Sequence, residues 1–243
     1  MRRELLLLVS ALITDNRASY CSVSECAAMA AGGNVSQIFI TRHGEREDVV
    51  DRAWFGRPQR SYDDPPLAEK GRRQASELAE RLAREHIDHI FSSPFERCVE
   101  TAHIISSARQ NPLPIKIEDG ICEVLLDFPP GYMSVEELHQ KYRLVDVSYK
   151  PAVVPSEGES YDHAVAGRVR ESVSKILAQH AGNLLFVAHG ASIGGLNQAL
   201  TGRWDYIGLC TLTRLVPDGK KGWRAALKGD ASHLSDRSNL RAW

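Results

Sequence analysis

The feature of this sequence that most limits its fold is an alternation. Short apolar runs that end abruptly in polar residues alternate with longer segments whose apolar residues recur every three to four positions. The first run, Val35–Thr41, holds Ile38, Phe39 and Ile40 in succession. Such continuity predicts a strand buried on both faces, as in a parallel sheet. A polar loop over 42–66 follows, and then 68–85 read as a helix, with Ala75, Leu78, Ala79 and Leu82 on one face and Arg, Glu and Gln on the other. Further strands are expected at 87–93, 113–119 and 183–189, and helices at 134–142, 161–180 and 191–200. Two closing strands, 206–215 and 223–228, flank the turn "PDGKKG". In "SSPFE", Ser93, Pro94 and Glu96 carry the spacing of a capping box with proline at the first helical position. Strands alternating with helices predict an α/β domain of three layers, α/β/α, around a mostly parallel central sheet.

In such sheets ligands bind beyond the carboxyl ends of the strands. After the first strand stand Arg42, His43, Gly44 and Arg46; after the second, Ser92, Ser93 and Arg97; after the third, Glu123; after the fourth, His189 and Gly190. Side by side, these strands would gather two histidines, three arginines and a carboxylate into one pocket. Arg97 falls in the first turn of its helix, where a cation opposes the helix dipole. A bound anion removes that conflict, and phosphate suits several planar guanidinium forks. The surrounding arginines would repel a metal ion, so no metal is expected. They would also hold His43 unprotonated, leaving a nucleophilic nitrogen beside the phosphate.

Thirty Lys and Arg nearly balance 31 Asp and Glu, so no overall charge points to nucleic acid or membrane. The five cysteines, Cys21, Cys26, Cys98, Cys122 and Cys210, are odd in number and irregular in spacing, as expected of reduced thiols in the cytoplasm. The start "MRRELLLLVSALI" resembles a signal peptide, so secretion is the alternative if residues 1–18 act as one. A working start at Met29 is the other reading of this region. Either way, residues 1–33 are expected to form an extension outside a single domain over 34–243.

Four segments, in order, resemble the signatures of the histidine phosphatase superfamily, which has the phosphoglycerate-mutase-like fold: "TRHGER", "PPLAEKGRRQA", "SSPFERCVETA" and "FVAHGASI". Within it, "RHGERED", "VDVSYKPAVVP" and "ESYDHAVAGRV" are most similar to the suppressor-of-T-cell-receptor-signalling (TULA-type) phosphatases and the ecdysteroid-phosphate phosphatases. The resemblance implies a phosphomonoesterase that needs no cofactor. His43 would be the nucleophile, and Arg42, Arg97, His189 and, in this subgroup, Arg46 would bind the phosphoryl oxygens. Glu123 would be the general acid, with Asp119 and Asp127 as nearby alternatives. The substrate would be a phosphotyrosine protein or a small hydrophobic phosphate ester, and the partner a second copy in a homodimer. A phosphoglycerate-mutase-type phosphotransferase and a catalytically silent phosphoryl-binding protein are the alternatives. Trp54, Phe55 and Tyr62 are read either as an entrance lining or as a loop core; Thr101 and Ala102 are read as helix packing.

Overall fold

The computed structural model describes residues 34–56, 62–219 and 222–241. The expected N-terminal extension, with Cys21 and Cys26, lies outside the described residues. A six-stranded sheet in the order β3-β2-β4-β1-β5-β6 forms the centre. Its strands are β1 (Val35–Arg42), β2 (His89–Ser92), β3 (Ile115–Ile117), β4 (Gly182–Ala188), β5 (Leu212–Pro217) and β6 (Trp223–Asp230). The pairings β1–β4, β2–β4 and β2–β3 are parallel, while β5 runs antiparallel to both β1 and β6. The mostly parallel sheet is therefore as expected, and the antiparallel hairpin closes one edge.

The continuous apolar strands divide their residues between two cores because successive side chains point to opposite faces. Phe39, Ile90, Leu185 and Val187 pack on one face with α2 (Glu69–Leu82) and α3 (Glu96–Ser107), through Ala75, Leu78, Val99 and Ala102. Ile38, Ile40, Leu184 and Phe186 pack on the other face. There they meet α5 (Val165–Gln179) and α6 (Gly190–Thr201), through Val169, Val173, Ile193 and Leu196. Two short helices, α1 (Glu47–Val50) and α4 (Val135–Lys141), lie in the connections. α4 carries a true capping box, with the Ser134 hydroxyl on the Glu137 amide and the Glu137 carboxylate on the Ser134 amide.

Two local expectations change. The α3 helix begins at Glu96, not Pro94, and Ser93 does not cap it. Instead the Asp64 carboxylate, from the loop before α2, accepts the Glu96 amide hydrogen at 2.7 Å. The strand expected over 206–215 begins only at Leu212, because Cys210 takes a left-handed φ of 49° that interrupts an extended run. Among the described residues, no helix is long and apolar enough to cross a membrane.

Candidate active site

The parallel register of β1 and β4 ends with Arg42 paired to Ala188, and the next residue on each strand is a histidine. The His43 amide continues the ladder to the Ala188 carbonyl at 3.1 Å. This places the two imidazoles with ring centroids 5.2 Å apart. His43 Nδ1 lies 2.8 Å from the Gly44 carbonyl oxygen. A carbonyl can only accept, so Nδ1 carries the hydrogen and Nε2 keeps the lone pair. Burial, reinforced by the charges of Arg97, Arg42 and Arg46, holds the His43 pKa well below its ordinary value and keeps the ring neutral. His189 is lowered in the same way, by burial and then by Arg97, His43, Arg42 and Arg46.

The arginines arrive from separate elements. Arg42 ends β1; it is buried, and it donates to the carbonyl of Arg241 at 3.0 Å. Arg97, only 1% exposed, extends from the first turn of α3 over the Phe95 ring. It donates to the Asp63 carbonyl at 3.3 Å, stands 3.8 Å from the Asp64 carboxylate, and leaves its Nε without a protein partner. Burial first, then the charge of Arg46, lowers its pKa, but a guanidinium keeps its proton in proteins. The same burial raises the Asp64 pKa to about 7, against the pull of Arg97 and the Glu96 amide. Arg46 is held by a two-pronged bond to the Asp48 carboxylate, at 2.9 and 2.6 Å. It remains a third exposed, at the open side of the cluster.

Glu123 Oε2 lies 3.5 Å from His189 Nδ1. With His189 neutral, this is a contact between a carboxyl group and an imidazole rather than an ion pair. Of the two alternatives to Glu123, Asp127 is exposed and accepts a hydrogen bond from the Tyr62 hydroxyl. Asp119 is half-buried, its pKa raised to about 6 by burial and by Glu118. Neither makes a contact with the histidines comparable to that of Glu123. Trp54 is buried and packs edge-on to Phe55, as a loop core would, whereas Phe55 and Tyr62 are exposed. Among the described residues, no group of three or more His, Cys, Asp or Glu side chains could hold a metal ion.

Several supporting residues escape a reading of local sequence. Ser93 Oγ sits 2.7 Å from His189 Nε2, so the serine orients the imidazole instead of capping α3. Thr101 Oγ1 accepts the Gly44 amide hydrogen at 3.3 Å, and the Gln74 side chain accepts that of Glu45 at 3.0 Å. Gly44 and Gly71 meet backbone to backbone. A Cβ on Gly44 would stand 2.5 Å from the Gly71 carbonyl oxygen, and one on Gly71 would stand 2.2 Å from that of Glu45. The glycines of "RHG" and "EKGRRQ" are thus two halves of one contact. The Thr and Gln positions were visible within the motifs; their partners lie far away in sequence and were not.

Residues 38–229 match the model of the histidine phosphatase superfamily, branch 1, and the chain belongs to that superfamily. It is 29% identical over 235 residues to ubiquitin-associated and SH3 domain-containing protein B of Mus musculus, a match covering 75% of this chain and 37% of that protein. The chain therefore spans well under half of that relative's length. It is 30% identical over 217 residues to a probable phosphoglycerate mutase, GpmB, of Proteus mirabilis, covering 82% of this chain and 95% of that protein. Its fold matches the ecdysone phosphate phosphatase of Bombix mori, solved with tungstate. That match has a TM-score of 0.65 at 21% identity, over 79% of this chain and 92% of that one. The TULA-type and ecdysteroid-phosphate resemblance read from the motifs is thereby upheld.

Proposed function

We propose that the protein is a phosphomonoesterase that works through a phosphohistidine on His43 and needs no metal. The observation that carries this reading is the state of His43: Nδ1 tied to the Gly44 carbonyl, Nε2 a free base, and the charges of three guanidiniums acting on the ring. In the first step Nε2 forms a bond to phosphorus while the ester oxygen departs and takes a proton from Glu123. In the second, water attacks the phosphohistidine, Glu123 accepts its proton, and inorganic phosphate leaves as Nε2 regains its lone pair. Arg42, Arg46, Arg97 and His189 hold the phosphoryl oxygens. Phosphoryl transfer demands mainly positioning and charge stabilisation, which these groups supply. Tungstate is an oxyanion, and its presence in a solved structure of the same fold supports a phosphate seat here.

The favoured substrate is an ester with a bulky apolar or aromatic leaving group. Tyr62, Leu126 and Phe128 are exposed. Their segments are joined through the Tyr62–Asp127 bond and by the Asp63 carboxylate on the Gly131 amide at 3.0 Å, while the Asp63 carbonyl holds Arg97. The segment that bears Tyr62 is thus tied through the Asp63 carbonyl to the guanidinium that would bind phosphate. The similarity to a probable phosphoglycerate mutase favours a second reading, transfer of the phosphoryl group back to a phosphoglycerate.

The test is phosphate release from para-nitrophenyl phosphate in EDTA, wild type beside His43→Ala. The expected result is turnover that survives chelation and vanishes in the variant. Activity that persists in His43→Ala would sink the reading. Isomerised phosphoglycerate, formed without net phosphate release, would establish the mutase.

A further inference from the structure

Glu123 lies outside the regular elements, in the segment that follows β3, yet its role demands placement to a fraction of an ångström. What fixes it is an arginine on another element. We propose that Arg168, on α5, is a positioning residue that aims Glu123 at the leaving oxygen; this rests on the reading of Glu123 as the general acid.

The two ends of the guanidinium do different things. Arg168 Nη1 donates to the carbonyls of Gly120 and Cys122, at 3.0 and 3.2 Å, and Nη2 donates to that of Glu123 itself, at 3.2 Å. Its Nε and Nη2 also form a fork on the Glu159 carboxylate, at 2.9 and 2.7 Å. Glu159 in turn grips the far side of Glu123. Its amide donates to the Leu125 carbonyl at 2.7 Å, and its carboxylate accepts the Leu125 amide hydrogen at 3.3 Å. The pair therefore clamps the chain at 120–123 and again at 125, with the Glu123 side chain projecting between. The Glu123 carboxyl group is left to meet its own neighbour's amide, Val124, and His189.

The base of the clamp is rigid. Val165 and Val169, beside Arg168 on α5, are fully buried against the sheet. A second hold comes from α6, where the Ser192 hydroxyl donates to the Cys122 carbonyl. The Arg168 side chain is only 8% exposed, and Glu159, 12% exposed, balances its charge. A fork that satisfies several backbone carbonyls and a carboxylate at once needs the planar geometry of arginine, which lysine cannot supply.

The experiment compares kcat/KM across esters of rising leaving-group pKa, from para-nitrophenyl phosphate to an alkyl phosphate, for wild type, Glu123→Gln, Arg168→Lys and the double variant. A general acid matters most when the leaving oxygen is a poor one. Arg168→Lys should lose about a hundredfold on the alkyl ester and much less on the nitrophenyl ester. It should follow the pattern of Glu123→Gln, and the double variant should lose little more than either single one. An equal loss on every ester, or no loss, with Glu123→Gln still discriminating, would overturn the clamp and leave the acid in place. If Glu123→Gln does not discriminate, the acid is misassigned and the proposal falls with it. Should Arg168→Lys not fold, Glu159→Gln, which cuts the same clamp at its other half, is read by the same criteria.

Discussion

At the scale of the residue, the arginine and histidine cluster fixes the protonation of its imidazoles through burial and neighbouring charge. His43 and His189 are both held neutral where a free imidazole, half-protonated near pH 6.5, would be losing its lone pair. Burial does most of this and the arginines the rest. Arg46, the most exposed of the three, is the one that can be changed with least damage to the interior. Neutralising it as Arg46→Gln removes a positive charge that acts on both rings, so their pKa values should rise toward the ordinary value. The acid limb of kcat/KM should then move to higher pH than in wild type, measured on one aryl phosphate so that substrate ionisation cancels. A limb that stays in place or moves to lower pH would show that Arg46 does not act on the histidines. That Arg42, His43, Arg97 and His189 come together was legible in the sequence, because the alternation placed them after the strands. Their tautomers and neighbours were not. Ser93 matched a capping-box pattern in sequence, but the cap came from Asp64 and the serine went to His189.

At the scale of the element, the loop that bears His43 is pinned to the first turn of α2 by a contact with no room for a side chain. Gly71→Ala puts a methyl group 2.2 Å from the Glu45 carbonyl oxygen, a backbone atom that cannot swing aside. The variant should lose about 1–3 kcal/mol in urea unfolding, as overpacked interiors do. It should also lose most of its phosphohistidine yield per folded molecule, because relief of the clash pushes Glu45 and with it His43. Retention of full activity in the folded fraction would show that the contact is structural only. The helices and strands themselves were read from period and apolarity, since the core rewards those patterns directly. Element ends were read less well. Helix α3 starts later than its Ser-Pro pair suggests, because a non-local hydrogen bond to Asp64 caps it, and β5 starts after Cys210, whose left-handed φ interrupts the extended run.

At the scale of the whole molecule, one buried carboxylate joins pieces that the chain separates widely. Glu118, fully buried after β3, accepts from the Gly120, Ala152 and Val153 amides, the Tyr149 hydroxyl and the Ser172 hydroxyl, at 2.7 to 3.2 Å. Glu118→Gln keeps the size but turns an NH2 group toward donors. It should cost about 3 kcal/mol in urea unfolding, as the loss of one partner from a buried charged network does. A change within a few tenths would show that the donors find water instead. No pattern along the sequence marks this residue, because four of its five donors lie more than thirty positions away. The histidine pair shows the opposite economy. The 5.2 Å between its rings is close to the separation of adjacent strands, about 4.8 Å, because both residues stand one step past the last paired positions of β1 and β4. The spacing of the two imidazoles is thus gauged by the peptide hydrogen bonding between β1 and β4. The segments 47–56, 62–66 and 124–158 lie outside those two strands.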